Sequence, residues 1–454
     1  MADQPIVPSY VDMTDAAVPG VDLGRRAKRP VTGTSRPVAG DSARPTERKR
    51  TFLASLDTPV VIVISILLAL GLMMVYSTTF DWSYQEYGSE STIFMTHVRN
   101  VLIGLGVLVV TTLIDYRLWK RFAVVVLLVT FALLVGVLLF GDNTFGARRA
   151  FFNGSYQPGE MAELTTIIYL SAWLGSKNAR VRSFTYGFLP FGVLVGVTIY
   201  LVYLQPDIST AAMIGLVGGV LFFLAGARWL HIVLGIAAAA LAGVFILSNS
   251  SLGYAQDRVD TYISGAADLT QANYHVQQAV IAFMNGGWTG VGLGEGKQKF
   301  GFLPAPHTDS IFAVIGEELG FVGASLVVIL YIVLVMRGLA IARRAPDLYG
   351  ALLASGITIW IAAKALLNIA VMTAVLPATG APLPFVSFGG SSLVVLMGGA
   401  GLLLSVARIN SRTRAPDWRN HSASVDRSGG NGRERLPRAG RGRGDTKPKA
   451  RHIS

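Results

Sequence analysis

Ten stretches of this chain are apolar over lengths that reach or approach the roughly 20 residues a helix needs to cross a hydrocarbon core. That recurrence constrains the fold more than any motif. The stretches lie at 58–77, 98–114, 122–140, 160–173, 186–204, 208–226, 229–247, 310–336, 348–375 and 384–407. The fourth is short and polar. Barrel strands alternate apolar and polar residues, and these runs do not, so strands are excluded as the spanning element. With 52% hydrophobic and only 15% charged residues, the chain has too little polar surface for a water-soluble domain. The expected fold is all-α, a polytopic membrane protein of about ten transmembrane helices.

The net charge of +12 is concentrated in two tails, 1–55 and 409–454, which flank a transmembrane domain at 56–408. Both tails are rich in Pro, Gly and Ser and poor in apolar residues, a composition expected to be disordered. The positive-inside rule makes them cytoplasmic. An even number of helices puts both termini on one side, and the short loops agree. Those predicted inside carry Arg117, Lys120 and Arg121, then Lys177, Arg180 and Arg182, then Arg228, then Arg337, Arg343 and Arg344. The first outer loop, 79–96, has neither Lys nor Arg. Solvated tails near anionic lipid therefore explain the basic balance better than nucleic acid does. The first fifty residues hold no apolar core for a cleavable signal peptide. No cysteine is present, and the six histidines show no HxxxH spacing, so disulfides, thiol catalysis and a histidine metal cluster are not expected. Neither a Walker nor a Rossmann glycine pattern is found; GVGLGEG at 290–296 does not follow a strand.

In this topology four polar motifs fall on the outer side: GARRAFFNGSYQPGE at 146–160, QPD at 205–207, the long loop 249–309 between helices seven and eight, and PATGAPLP at 377–384. Their convergence on one face marks that face as functional. Arg148 and Arg149 are a basic pair on the side that otherwise lacks cations, suited to lipid phosphate or to a phosphorylated substrate. Pro158 and Glu160 fit the first turn of the fourth helix, whereas Glu163, one turn deeper on the same face, needs another reason. Turn chemistry accounts for Pro206 and Asp207 beside Gln205. The prolines at 377, 382 and 384 and the run Gly389, Gly390, Ser391, Ser392 imply re-entrant backbone around a polar cavity open to the outside. Glu317 and Glu318 lie in the eighth helix and Lys364 in the ninth, positions that suit an internal ion pair. Asp309 differs, because at the water boundary it can stay ionised and face an enclosed site, as a general base requires.

The runs GARR, QPGE, LQPDIST, GGWTGVGLGEG, FLPAPHTDSIFAVIGEELGFVGA and LPATGAPLPFVSFGGSS occur in this order from Gly146 to Ser392. In them the chain resembles the SEDS (shape, elongation, division and sporulation) proteins, the group of RodA, FtsW and SpoVE, across roughly 56–408. The resemblance implies a peptidoglycan glycosyltransferase that polymerises lipid II on the outer face of the cytoplasmic membrane, in cell elongation or division. It also implies a partner transpeptidase of the class B penicillin-binding type and further cell-wall or divisome proteins on the cytoplasmic tails. By matching position Asp309 is the catalytic aspartate, and Arg149 offsets pyrophosphate charge. Arg148, Glu160, Gln205, Asp207, His307, Thr308, Ser387 and Ser391 fall with them in the substrate-binding set. Glu163, Glu317, Glu318 and Lys364 are the structural charges. No metal ligand or cofactor is evident, and divalent-cation dependence is left open.

Three positions depart from the family pattern. Ala150 stands where Trp is general, Glu163 where Lys is usual, and Lys364 where Gln is common. The expectation is that Lys364 supplies inside the bundle the cation lost from the fourth helix. PATGAPLPF resembles the elongation type, while long charged tails resemble the division type. Two other readings stay open: a flippase for lipid-linked precursors that uses the intramembrane Glu and Lys residues as a relay, and an inactive scaffold for a penicillin-binding protein.

Overall fold

The structure is a computed structural model that describes residues 56–144, 147–151, 155–177, 179–248, 260–265 and 272–413. The predicted tail 1–55 and residues 414–454 of the predicted tail 409–454 lie outside the described residues, whereas 409–413 are helical and continue the last helix. The helices are α1 (Thr58–Tyr87), α2 (Thr92–Leu113), α3 (Tyr116–Phe140), α4 (Pro158–Leu174), α5 (Leu189–Tyr203), α6 (Ile208–Leu224) and α7 (Trp229–Ser248), then α8 (Tyr274–Gly286), α9 (Ile311–Glu318), α10 (Gly320–Arg343), α11 (Leu348–Met372) and α12 (Ser391–Thr413). A two-stranded antiparallel hairpin, β1 (Asp142–Thr144) and β2 (Ala147–Ala150), follows α3. Among the described residues seven helices are long and apolar enough to cross a membrane: α1, α2, α3, α5 with the π-helical turn Phe184–Phe188 before it, α10, α11 and α12. α6 and the Trp229–Leu241 part of α7 are apolar but shorter, and α4 has 17 residues that include two acids.

Local chemistry sets several boundaries. Asp115 caps α3 by accepting from the Arg117 N–H at 2.8 Å, Asp207 caps α6, and Asp347 caps α11 by accepting from the Gly350 N–H at 2.7 Å, each satisfying an amide that a helix start leaves open. Contacts between helix ends establish the up-and-down order. At one end Arg337 near the close of α10 pairs with Asp57 ahead of α1 at 2.6 Å, Tyr116 donates to Asp347, and Ser405 Oγ donates to the Ile114 carbonyl. The opposite end gathers the starts of α2, α4, α6, α9 and α12. α12 is central and mostly buried, whereas α2 turns Leu102, Ile103, Leu105, Val109 and Val110 outward, which in a bilayer is the lipid face.

The architecture differs from the sequence expectation in three places. The first apolar run was expected to end at residue 77, but α1 continues to Tyr87, 30 residues in all and about 45 Å of helix, so most of the predicted outer loop 79–96 is helical. Second, the predicted eighth span breaks between α9 and α10. Gly320 there has φ +66°, and a Cβ on it would meet the Trp288 and Thr289 backbone at 2.7 Å, so the break needs glycine. The preceding loop fills the gap: Val291 and Gly292 N–H donate to the Glu317 and Glu318 carbonyls, and Phe321 and Val322 N–H donate to the carbonyls of Gly287 and Trp288. Broken backbone at depth is tolerated where it is satisfied in this way. Third, the last span starts at Ser391 instead of 384, because residues 376–390 fold as a loop, as the prolines there require. The long loop 249–309 also contains helix α8.

Candidate active site

Asp309 sits partly buried in the loop 304–310, just ahead of α9. That loop is bound to the loop 376–390 by a set of backbone-directed bonds. The Phe388 N–H donates to the His307 carbonyl at 2.8 Å, Ser387 Oγ donates to the Thr308 carbonyl at 2.6 Å and accepts from the Leu383 N–H, and Tyr331 Oη donates to the Pro384 carbonyl. Asn368 of α11, almost fully buried, donates from Nδ2 to the carbonyls of both Asp309 and Ala381 at 2.7 Å. A Cβ on Gly380 would lie 3.3 Å from Asp309 Oδ2, so a residue without a side chain leaves space beside the carboxylate. The result is a carboxylate at the bundle end whose main chain is fixed from two sides.

His307 packs its ring against Trp82 and Phe388, with ring centroids 4.9 and 5.6 Å away. Burial pushes its pKa down to about 4, so it is neutral at neutral pH and adds no cation. Its Nδ1 has no partner among the described residues. Thr308 offers its carbonyl to Ser387, and its hydroxyl turns to the Ala305 carbonyl.

One helical turn below Asn368 on the same face of α11 lies Lys364, and one further turn below is Trp360. Lys364 Nζ holds Glu160 Oε2 at 2.5 Å and Glu163 Oε2 at 2.7 Å. Trp360 Nε1 donates to the same Glu163 oxygen at 2.8 Å. All three charged groups are buried. The i, i+3 spacing of the two acids on α4 puts both on the face that meets α11. The structure thus brings Glu163 and Lys364 together, as the paired departures from the family pattern anticipate, and adds Glu160 as a second carboxylate on the same lysine.

Glu317 and Glu318 do not pair with Lys364, contrary to the expectation of an internal ion pair between helices eight and nine. Their cation and most of their donors come from the loop between α8 and α9, joined by Ser77 of α1 and Asn285 of α8. Glu318 accepts from Lys299 Nζ at 2.7 Å, from Ser77 Oγ and from the Gly294 N–H. Glu317 accepts from the backbone of Lys297 and Gln298 and from Asn285 Nδ2. The two acids therefore pin that loop onto the helix break. Sequence reasoning missed Lys299, because a lysine in a loop of mixed polarity reads as solvated, and it missed Asn368, a lone amide in an apolar helix.

The other predicted site residues fall around the same end. Arg148 lies in β2, its backbone opposite Asn143, and Arg149 beside it is partly exposed. Ser391 Oγ accepts from the Gln157 N–H and its amide donates to the Ser155 carbonyl, tying the start of α12 to the start of α4. Asp207 uses Oδ1 on the Thr210 N–H and Ser209 Oγ, and Oδ2 on Thr210 Oγ1, while Gln205 is buried and donates to the Leu134 carbonyl at 3.2 Å. Both side chains are thus engaged in holding α6 and α3. Among the described residues there is no group of three or more His, Asp or Glu arranged to hold a metal ion.

The family model of cell cycle proteins of the FtsW, RodA and SpoVE type matches residues 57–412. Stage V sporulation protein E of Bacillus subtilis is 36% identical over 358 residues, covering 78% of this chain and 97% of that one. A protein of Coxiella burnetii named as a probable peptidoglycan glycosyltransferase FtsW is 37% identical over 369 residues, covering 80% and 98%. Among solved structures, a chain of a peptidoglycan synthase complex described as coordinating polymerization and crosslinking superposes with a TM-score of 0.64 at 25% identity, covering 78% and 98%. The rod shape determining protein RodA of Thermus thermophilus gives 0.59 at 25% identity, covering 80% and 98%.

Proposed function

The chain belongs to the FtsW, RodA and SpoVE family of cell cycle proteins, and we propose that it is a peptidoglycan glycosyltransferase that joins lipid II units into glycan strands in cell division or elongation. It is a multi-pass protein of the cytoplasmic membrane. The basic short loops at the opposite end support an outer-face position for the Asp309 end.

The observation that carries the reading is the placement of Asp309. Its carboxylate lies at the bundle end, beside the bare Gly380, with its main chain held by Asn368 and its neighbour Thr308 held by Ser387. A fixed carboxylate with open space beside it is what a general base for a sugar hydroxyl needs. In the proposed step that hydroxyl gives its proton to Asp309 while its oxygen bonds to the donor's anomeric carbon. The bond from that carbon to the polyprenyl pyrophosphate breaks, and the pyrophosphate leaves with the electron pair. A single inverting displacement needs no enzyme nucleophile, unlike the retaining pattern with two carboxylates. Arg148 and Arg149, on the hairpin at the same end, are assigned to the charge on the leaving group. A transpeptidase of the penicillin-binding class is the proposed partner, in keeping with the crosslinking synthase complex that contains the similar chain.

Purified protein given lipid II, with and without a cognate transpeptidase, tests the reading. Glycan chains that disappear with Asp309→Ala support it. Lipid translocation without polymer would identify a flippase, and tight partner binding with neither activity would identify a scaffold.

A further inference from the structure

Along α1 the exposed apolar residues Ile62, Ile66, Met73, Tyr76, Tyr84 and Tyr87 recur at helical spacing and form one stripe, which in a bilayer is the lipid face. Trp82 lies on the opposite side of the helix, in line with Ile64, Gly71, Val75 and Thr78, all of them buried. It is nevertheless 45% exposed. A tryptophan that anchors a helix at the membrane surface sits on the lipid stripe, whereas this one faces over the outer end of the bundle. It stands five residues, about 7.5 Å of helix, beyond the apolar run that ends at residue 77. Gln85 and Glu86, one turn further on the same side, are exposed and polar, so the ring borders water.

The end of α1 that carries this ring is braced on two sides. Ser83 Oγ donates to the Ser89 carbonyl at 2.6 Å and accepts from the Ile93 N–H at 3.3 Å, which ties it to the start of α2. Phe80 meets Phe300 edge-on, with centroids 5.9 Å apart, which ties it to the loop ahead of α9. Trp82 itself packs on His307, the ring planes 39° apart, and His307 is two residues from Asp309. Because burial keeps that imidazole neutral, the two rings form an uncharged aromatic surface beside the carboxylate. Its exposed part, on Trp82, is held by a helix and not by a loop, as a binding surface requires.

We propose that Trp82 is a sugar-binding residue, its indole packing against the pyranose ring whose hydroxyl Asp309 deprotonates. The inference rests on the polymerase reading of the site. One face of a pyranose presents C–H groups polarised by the neighbouring oxygens, and the electron-rich face of an indole attracts them without needing a charge. Such a contact fixes the plane of the sugar, and with it the direction in which the hydroxyl meets the carboxylate. Arg148 and Arg149 are assigned to the leaving pyrophosphate, so the ring and the basic pair serve different parts of the reacting pair.

The test is binding by the full-length protein in detergent, read by native mass spectrometry in an Asp309→Ala background that removes turnover. Two probes are used: lipid II, and a polyprenyl pyrophosphate that lacks the sugars. The method counts bound molecules, so a loss at one of two lipid II positions is visible. Trp82→Ala is expected to weaken lipid II binding about three- to tenfold, the range for one aromatic contact, and to leave the polyprenyl pyrophosphate unchanged. Trp82→Tyr should keep most of the binding, and thermal melting checks that each variant is folded. With Asp309 intact, Trp82→Ala should raise KM for lipid II by a similar factor and change kcat less. Undiminished lipid II binding by Trp82→Ala, or an equal loss of both probes, would overturn the proposal. Lipid II binding that depends on Trp82 in a protein that makes no glycan would support the sugar contact and refute the polymerase reading.

Discussion

Exchanging the charges of Glu163 and Lys364 probes a buried three-charge cluster between two helices of the bundle. Lys364 lies 2.5 Å from Glu160 and 2.7 Å from Glu163, and each attraction amounts to about 6 kcal/mol at an effective dielectric near 20. Desolvation of the three ions offsets much of this, so the net worth of the cluster is small, yet removing one partner from such a set costs about 3–5 kcal/mol because a charge is left uncompensated. Glu163→Lys sets two ammonium groups against one carboxylate, and Lys364→Glu sets three carboxylates together. Each is expected to lower stability by about 3–5 kcal/mol or to prevent folding. The double variant restores one cation between two acids, since the new ammonium on α4 still faces Glu160 one turn away and meets the new carboxylate of α11 across the helix interface. Recovery stops about 1–2 kcal/mol short of wild type, because the Trp360 N–H loses its acceptor. Thermal unfolding in detergent, followed by tryptophan fluorescence and paired with the lipid II assay, gives the coupling as a double-mutant cycle. If the double variant is no more stable than the worse single one, the charge-exchange reasoning is wrong.

Three further outcomes are expected. Lys299→Met leaves Glu318 buried without its cation, so stability should drop by about 3–5 kcal/mol and the loop ahead of α9 should become sensitive to protease; unchanged digestion would show that the pair is incidental. Asn368→Leu strips one donor from both the Asp309 and Ala381 carbonyls, at about 1–3 kcal/mol for each buried group left unpaired, and should lower kcat more than it raises KM for lipid II; a pure KM effect would contradict a positioning role. His307, neutral with its pKa held down near 4 against an ordinary 6.5, binds fewer protons folded than unfolded, so it has no effect on stability above pH 6.5 and destabilises progressively as pH falls from 6.5 to 4. His307→Gln should flatten that part of the stability profile, and an unchanged slope would place the titrating group elsewhere.

The Lys364 and Asn368 positions connect two parts of the site through one helix. With Trp360 they occupy successive turns on one face of α11, so the face that binds the α4 acids also carries the amide that fixes Asp309. A tilt of α11 would move both. The lysine cluster is thus expected to affect the site by holding α4 and α11 in register, without touching a sugar.

Much of this protein was legible as text. Apolar runs determine helices because a bilayer leaves the backbone no other partner, the basic short loops determine which ends lie together, and the conjunction of GARR, QPGE, HTDS and PATGAPLP places Asp309 with its surroundings at one end. The break before Gly320, the extension of α1 to Tyr87 and the partners of the buried charges were not legible. Hydropathy reports each residue's local preference for lipid, so a helix interrupted and repaired by a distant loop looks continuous. Ion pairing depends on depth and on the direction a helix turns its side chains, both fixed only when the helices pack. Glu317 and Glu318 could be assigned to Lys364 on hydropathy alone; packing instead gave Lys364 to Glu160 and Glu163, and folded Lys299 from a loop onto Glu318. The sequence by itself determined which groups had to be neutralised, and the tertiary structure decided by what.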